Sequence, residues 1–113
     1  IMATFVNTAI YQTIARKARS EEVLTEEDLL ELETEIAEKY PDFRSSLFTV
    51  SPISVQDYRM CIIIKLFDFN DNTMSKLLSR DRSTITKAKK KLQIRYLGAE
   101  SCIHDFITFI KGI

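Results

Sequence analysis

The chain has 113 residues, 45% of them apolar, and its 16 basic and 16 acidic side chains cancel. That length supports one small domain with a single core and does not support two. Two cysteines, one histidine and two glycines argue against a disulfide framework, a metal centre and a glycine-rich phosphate loop. No apolar run approaches the roughly 20 residues of a membrane span.

From Ala3 to Arg19, Val6, Ile10 and Ile14 recur at helical spacing with Phe5 and Ala9 beside them, which predicts an amphipathic packing helix. A dimer contact or an upstream coiled coil is the alternative use of that face. The pattern is already under way at Ile1 and no signal peptide precedes it, so we expect a segment of a longer protein. Any sensor, repeat or membrane anchor is then expected outside the sequence.

Ser20 to Asp42 carries ten carboxylates against Lys39. Thr25 and Asp28 make an aspartate form of the capping box, and Leu24 with Leu29 a hydrophobic staple, so a helix start is well marked. Leu29, Leu32, Ile36 and Tyr40 form its apolar stripe up to Pro41, while Glu26, Glu27, Glu31, Glu35 and Glu38 face water. A sharper reading has this acidic helix masking a basic one in the resting protein.

Phe43 to Val50 predicts a connector with a helical turn that buries Phe43, Leu47 and Phe48. Ile53, Ser54, Asp57 and Tyr58 then repeat the start signal, with Ser54 as cap, Asp57 as its acid and a staple between Ile53 and Tyr58. The helix from Val55 to about Phe67 is apolar most of the way round at Cys61 to Ile64, as expected in the middle of a domain. A buried strand is the alternative for that β-branched run, but no second strand is evident to pair with it.

Asn70 caps the next short helix, stapled by Phe69 and Met74, with Met74, Leu77 and Leu78 on its buried side. After a turn of about four residues, Asp81 is a good N-cap, with Thr84 at the third helical position. In the helix that begins at Arg82, Ile85, Ala88, Leu92 and Tyr96 make one apolar face; Ser83, Thr86, Lys87, Lys90 and Ile94 project from the other.

Charge is segregated here: Lys76 to Arg95 holds eight cations (Lys76, Arg80, Arg82, Lys87, Lys89, Lys90, Lys91 and Arg95) against Asp81 alone. Such an excess on one helix is the footprint of phosphate-backbone contact. The plain alternative is a solvated lysine face. Two helices around a tight turn, the second basic, is the helix-turn-helix arrangement.

Gly98 suits the end of the basic helix, and Ile103, Phe106, Ile107 and Ile110 describe a closing helix. Phe109 falls off its stripe and would be exposed there, either as an ordinary surface aromatic or, as the alternative, as a self-association contact. Cys61 and Cys102 both fall in apolar helical stretches and are expected as buried, reduced thiols. Ser101, His104 and Asp105 resemble a triad only in composition, since neighbours on one turn lack the mutual orientation catalysis needs. We expect no enzyme, metal or cofactor.

TMSKLLSRDRSTITKAKKKL resembles, without a gap, the helix-turn-helix of LuxR-type regulators and the related sigma-factor domain. There a Leu-Leu pair ends the first helix and a Ser-Thr-aliphatic triplet opens the recognition helix, here Leu77, Leu78 and Ser83, Thr84, Ile85. With YPDFRSSL, ISVQDYRMCIIIKL and IHDFITFI, the stretch from about Leu24 to the end is similar to the C-terminal module of Bacteroides-type membrane-anchored tetratricopeptide-repeat regulators. The chain departs from that pattern in having Arg80 for an aliphatic residue, Arg82 for a frequent proline and Thr73 for an acid. Its Cys61 to Met74 connection is also one residue longer.

The resemblance implies an all-α fold: a LuxR/sigma-factor-like helix-turn-helix core over 51–113, with N-terminal support helices over 1–50 and a C-terminal closing helix. It implies double-stranded DNA as partner, a transcriptional regulator's output role, and a cytoplasmic location. From the residues, Ser83, Thr86, Lys87 and Lys90 are expected at the major groove, with Thr84 beside them. Arg80, Arg82, Lys89 and Lys91 are expected on the phosphate backbone, Lys89 being partly turned toward the packed side. Arg80 is expected to lay its methylenes over the core and send its guanidinium outward. With four to six phosphates contacted, the log–log salt slope would be about −4 to −5. The rival readings are a protein-interaction or oligomerisation module, a homodimer included, and an RNA binder. RNA is disfavoured because the basic face offers no outward aromatic residue.

Overall fold

A computed structural model describes residues 8–113, and among them there are seven α-helices and no strand. They are α1 (Ala9–Ser20), α2 (Glu26–Lys39), α3 (Phe43–Val50), α4 (Val55–Leu66), α5 (Asp71–Leu77), α6 (Arg82–Leu97) and α7 (Ile103–Gly112). The all-α expectation holds. Phe5 and Val6 of the predicted first helix lie outside the described residues.

The helix starts follow the local signals. Thr25 and Asp28 exchange both bonds of the capping box, each at 3.0 Å. Asn70 Oδ1 accepts from the Thr73 N–H at 2.8 Å, and Ser54 Oγ from the Asp57 N–H at 3.1 Å. Each satisfies a donor that helical geometry leaves open. Asp81 occupies the N-cap of α6 as expected, but its side chain makes no capping bond.

α4 is the axis of the fold. From Asp57 to Phe67 every residue except Arg59 is buried, so α4 has neighbours on all sides; α2 packs on one flank and α7 on another. Around it α1 packs on α2 and α5, α3 on α2, and α6 between α5 and α7. The β-branched run Ile62–Ile63–Ile64 is helical, because helices rather than a second strand cover it.

Polar links fix these helices against one another. Arg59 of α4 holds Glu26 through both guanidinium nitrogens at 2.9 and 2.7 Å and Glu33 at 3.0 Å. Lys17 of α1 reaches Asp28 at 2.5 Å. Lys111 of α7 donates to the carbonyls of Ile64 and Phe67, closing the C-terminal end of α4, and Lys65 returns a bond to the Lys111 carbonyl at 2.5 Å.

Three expectations about burial are corrected. Cys102 is exposed, because it is the N-cap of α7 rather than part of its apolar stripe; Cys61 is buried, and burial pushes its thiol up to about 12. Ile103 is 45% exposed, standing in the first turn of α7. Phe109 is half-buried against Tyr96, with ring centroids 5.5 Å apart, so it closes the core instead of offering a self-association contact.

Candidate nucleic-acid interface

The basic helix enters from a turn made by backbone alone. α5 ends in a Schellman motif: Arg80 N–H bonds the Ser75 carbonyl at 3.0 Å and Ser79 N–H the Lys76 carbonyl at 3.4 Å, with Ser79 left-handed at φ 53°. A glycine usually takes that position, so the turn carries no glycine signal in the sequence. The Leu77 carbonyl accepts from the Leu24 N–H at 2.8 Å, which ties the end of α5 to the loop before α2.

The underside of α6 is its apolar face. Ile85 and Leu92 are fully buried, Ala88 nearly so, and Met74 and Leu77 of α5 share that core. Replacing either Ile85 or Leu92 with alanine would cost about 2–5 kcal/mol. At the far end Tyr96 Oη donates to the Leu47 carbonyl at 2.8 Å, and burial pushes that phenol up to about 12. Buried Gln93 donates from Nε2 to the Ser101 carbonyl and Oγ at 2.7 and 3.2 Å, and Arg95 reaches the Pro52 carbonyl at 3.2 Å.

The outward ridge consists of Ser83, Lys87, Lys90 and Ile94, all exposed and spaced i, i+4, i+7, i+11, hence one stripe along the helix. Arg82 stands exposed at its head. Among the described residues no ion pair or hydrogen bond holds the side chains of Arg82, Lys87 or Lys90, and the first turn carries no acid. Thr84 is exposed toward one flank of this ridge.

The other basic residues are spoken for. Arg80 turns inward, not outward: Nη1 meets Asp57 Oδ1 at 3.2 Å, and the Arg80 side chain is only 14% exposed. Lys91 Nζ meets the other oxygen of the same carboxylate at 2.8 Å while its stem stays half-exposed. Asp57 was read as the capping acid of α4, but it returns no bond to Ser54. It is only 2% exposed, and its carboxylate sits between the turn and α6. Burial works against its charged form, yet the hydrogen bonds and charges of Lys91 and Arg80 outweigh it and hold the carboxyl below the usual 3.8.

A second carboxylate grips the opposite flank. Asp71, in the first turn of α5, pairs with Lys89 and accepts from Thr86 Oγ1 at 2.8 Å, a hydroxyl also shared with the Arg82 carbonyl. Burial again opposes the charged form, and Lys89, Thr86 and the nearby charge of Arg82 outweigh it, so Asp71 also lies below 3.8. Lys89 is therefore buried, and the Thr86 hydroxyl is committed within the chain although its residue is exposed.

Sequence reasoning missed Asp57 and Asp71 as partners of α6. Each stands in the first turn of its own helix, where an acid is already explained by capping and by the helix dipole. The masking expectation fails on contacts: α2 packs on α1, α3 and α4, and among the described residues none of its carboxylates pairs with α6.

Among the described residues Ser101, His104 and Asp105 do not assemble as a triad. Ser101 Oγ donates to the Gly98 carbonyl at 2.6 Å, and Asp105 accepts from the Cys102 N–H at 3.0 Å and Sγ at 3.3 Å, so the hydroxyl and the carboxylate are both committed to local caps. Among the described residues no group of histidine, cysteine and acidic side chains has the proximity to hold a metal, and no helix is long and apolar enough to cross a membrane. Comparison of the chain with protein-family models, with curated proteins and with solved structures gives no match.

Proposed function

We propose that the chain binds double-stranded DNA as the output module of a bacterial transcriptional regulator, a binding module and not an enzyme. In this reading α5, the Schellman turn and α6 work as a helix-turn-helix of LuxR type, with α6 in the major groove. The observation that carries the reading is the outward ridge of α6, where unpaired Lys87 and Lys90 flank Ser83 and Ile94 with no acid among them.

The chemistry of the ridge suits the groove. Lysine donates to the guanine acceptor atoms, serine to bases or phosphates, and Ile94, 43% exposed, offers an apolar contact to a thymine methyl group. Arg82 lies at the edge, where the phosphate backbone would pass. Apolar anchoring below and free cations above let the helix enter the groove without exposing core.

The same reading takes the protein as cytoplasmic, and it is compatible with a homodimer and with a membrane-anchored parent chain. A selection of bound sequences from a random duplex pool tests it. Enrichment of a consistent motif, with binding that weakens at least tenfold in Lys87→Ala/Lys90→Ala, is the expected result. No enrichment and a flat salt response would overturn it in favour of a protein-interaction surface.

A further inference from the structure

We infer that Asp57 and Asp71 are positioning residues that set the roll of α6 and withhold Arg80, Lys89 and Lys91 from phosphate, leaving Arg82, Lys87 and Lys90 as the cations on and beside its outward ridge that are free to meet DNA. The inference rests on the DNA-binding reading for its consequence, but its cause is visible in the protein alone.

The two carboxylates come from different helices and hold different sides of α6. Lys89 and Lys91 lie two residues apart, hence about 200° apart around a helix of 3.6 residues per turn. Asp71 holds the Lys89 and Thr86 side and Asp57 the Lys91 side, the latter also bound to Arg80 in the turn. Rotation in either direction would break one grip. With the roll so fixed, the stripe of Ser83, Lys87, Lys90 and Ile94 is the one that faces out.

The grips also act as internal counter-anions. A lysine or arginine already bonded to a buried or half-buried carboxylate neutralises no phosphate and releases no counterion when DNA arrives. Three free cations on and beside the ridge give a salt slope of about −3, shallower than a count of basic residues suggests.

The test is a salt titration between about 50 and 200 mM on random-sequence duplex DNA, with the full chain and single variants. Lys87→Gln should lower the magnitude of the slope by about 0.9, and Lys91→Gln, though it removes the same charge from the same helix, should leave it unchanged. Asp57→Asn should steepen the slope by between about 1 and 2 as Arg80 and Lys91 are released, whereas Glu27→Gln on the solvated face of α2 should not. Equal losses for Lys87→Gln and Lys91→Gln, or an unchanged slope in Asp57→Asn, would overturn the inference. Lys91→Gln leaves Asp57 paired with Arg80, so it keeps the inference testable should Asp57→Asn not fold.

If the wild type shows no salt-dependent duplex binding, the DNA reading falls, and the grips are read separately by backbone residual dipolar couplings without DNA. Those couplings should show α6 reoriented relative to α4 in Asp57→Asn. Couplings that superpose on the wild type would overturn the roll assignment.

Discussion

The two charged helices of this protein handle their charge in opposite ways. α2 carries much of the acid of the chain, and its pairs lie near the surface: Arg59 collects Glu26 and Glu33, Lys17 takes Asp28, and Lys39 takes Glu35, which does not face water as expected, whereas Glu27, Glu31 and Glu38 do. α6 carries much of the base; its outward ridge holds unpaired cations, while one carboxylate grips each flank. What separates them is burial. Many solvated charges fix little, because water and ions screen them, whereas a single carboxylate 2% exposed between two cations dictates where both go.

The strongest way to break this comparison is to delete one acid from each side. Asp57→Ala leaves Arg80 facing a desolvated gap and should cost about 3–5 kcal/mol in urea denaturation at neutral pH. Glu31→Ala, in the solvated row of α2, should fall within about 0.5 kcal/mol of wild type. Equal losses would mean that burial is not what distinguishes the two helices. The acid limb sharpens the point. The folded Asp57 value lies below 3.8, so the stability it contributes is complete above that value and is lost as pH falls through the lower folded one. Wild type should therefore lose stability below about pH 4 more steeply than Asp57→Asn.

A middle-sized effect compares how the two helices begin. Thr25 makes both bonds of a capping box, and Thr25→Ala should cost about 1 kcal/mol. Asp81 makes no side-chain cap, so Asp81→Ala should lose only the dipole contribution, about 0.3–1 kcal/mol, most of it screened at high salt. Thermal melts at low and high salt distinguish a bond from a field. If both variants lose the same amount at both salts, the two helix starts are equivalent and the contrast fails here.

The smallest effect lies in the turn. Ser79 holds φ 53°, a conformation that costs an L-residue about 1–2 kcal/mol and costs glycine little. Glycine gives back part of that gain through its freer unfolded chain, so Ser79→Gly should stabilise by about 0.5–1 kcal/mol. Thermal denaturation should show a higher midpoint, and a lower one would mean that the Ser79 side chain contributes something its backbone does not.

Much of the fold was legible because its signals are local. The capping box at Thr25, the caps at Ser54 and Asn70, the apolar stripes of α5 and α6 and the buried centre of α4 depend on residues within about a turn of one another, and spacing reveals them. The first turn of α7 was misread for a related reason. Cys102 and Ile103 continue the apolar pattern of Phe106 and Ile110, but the chain is still entering the helix there and both stay exposed.

The sequence by itself determined that the chain is helical, where most of its helices start, which residues make their apolar faces, and that its cations gather on α6. Only the tertiary structure decided which of those cations are free. Asp57 lies 23 residues from Arg80 and 34 from Lys91, and Asp71 lies 18 from Lys89. Periodicity carries no information across such separations. An ion pair forms between groups that folding brings within a few ångströms in a place that water does not reach, and that is set by how α4, α5 and α6 pack.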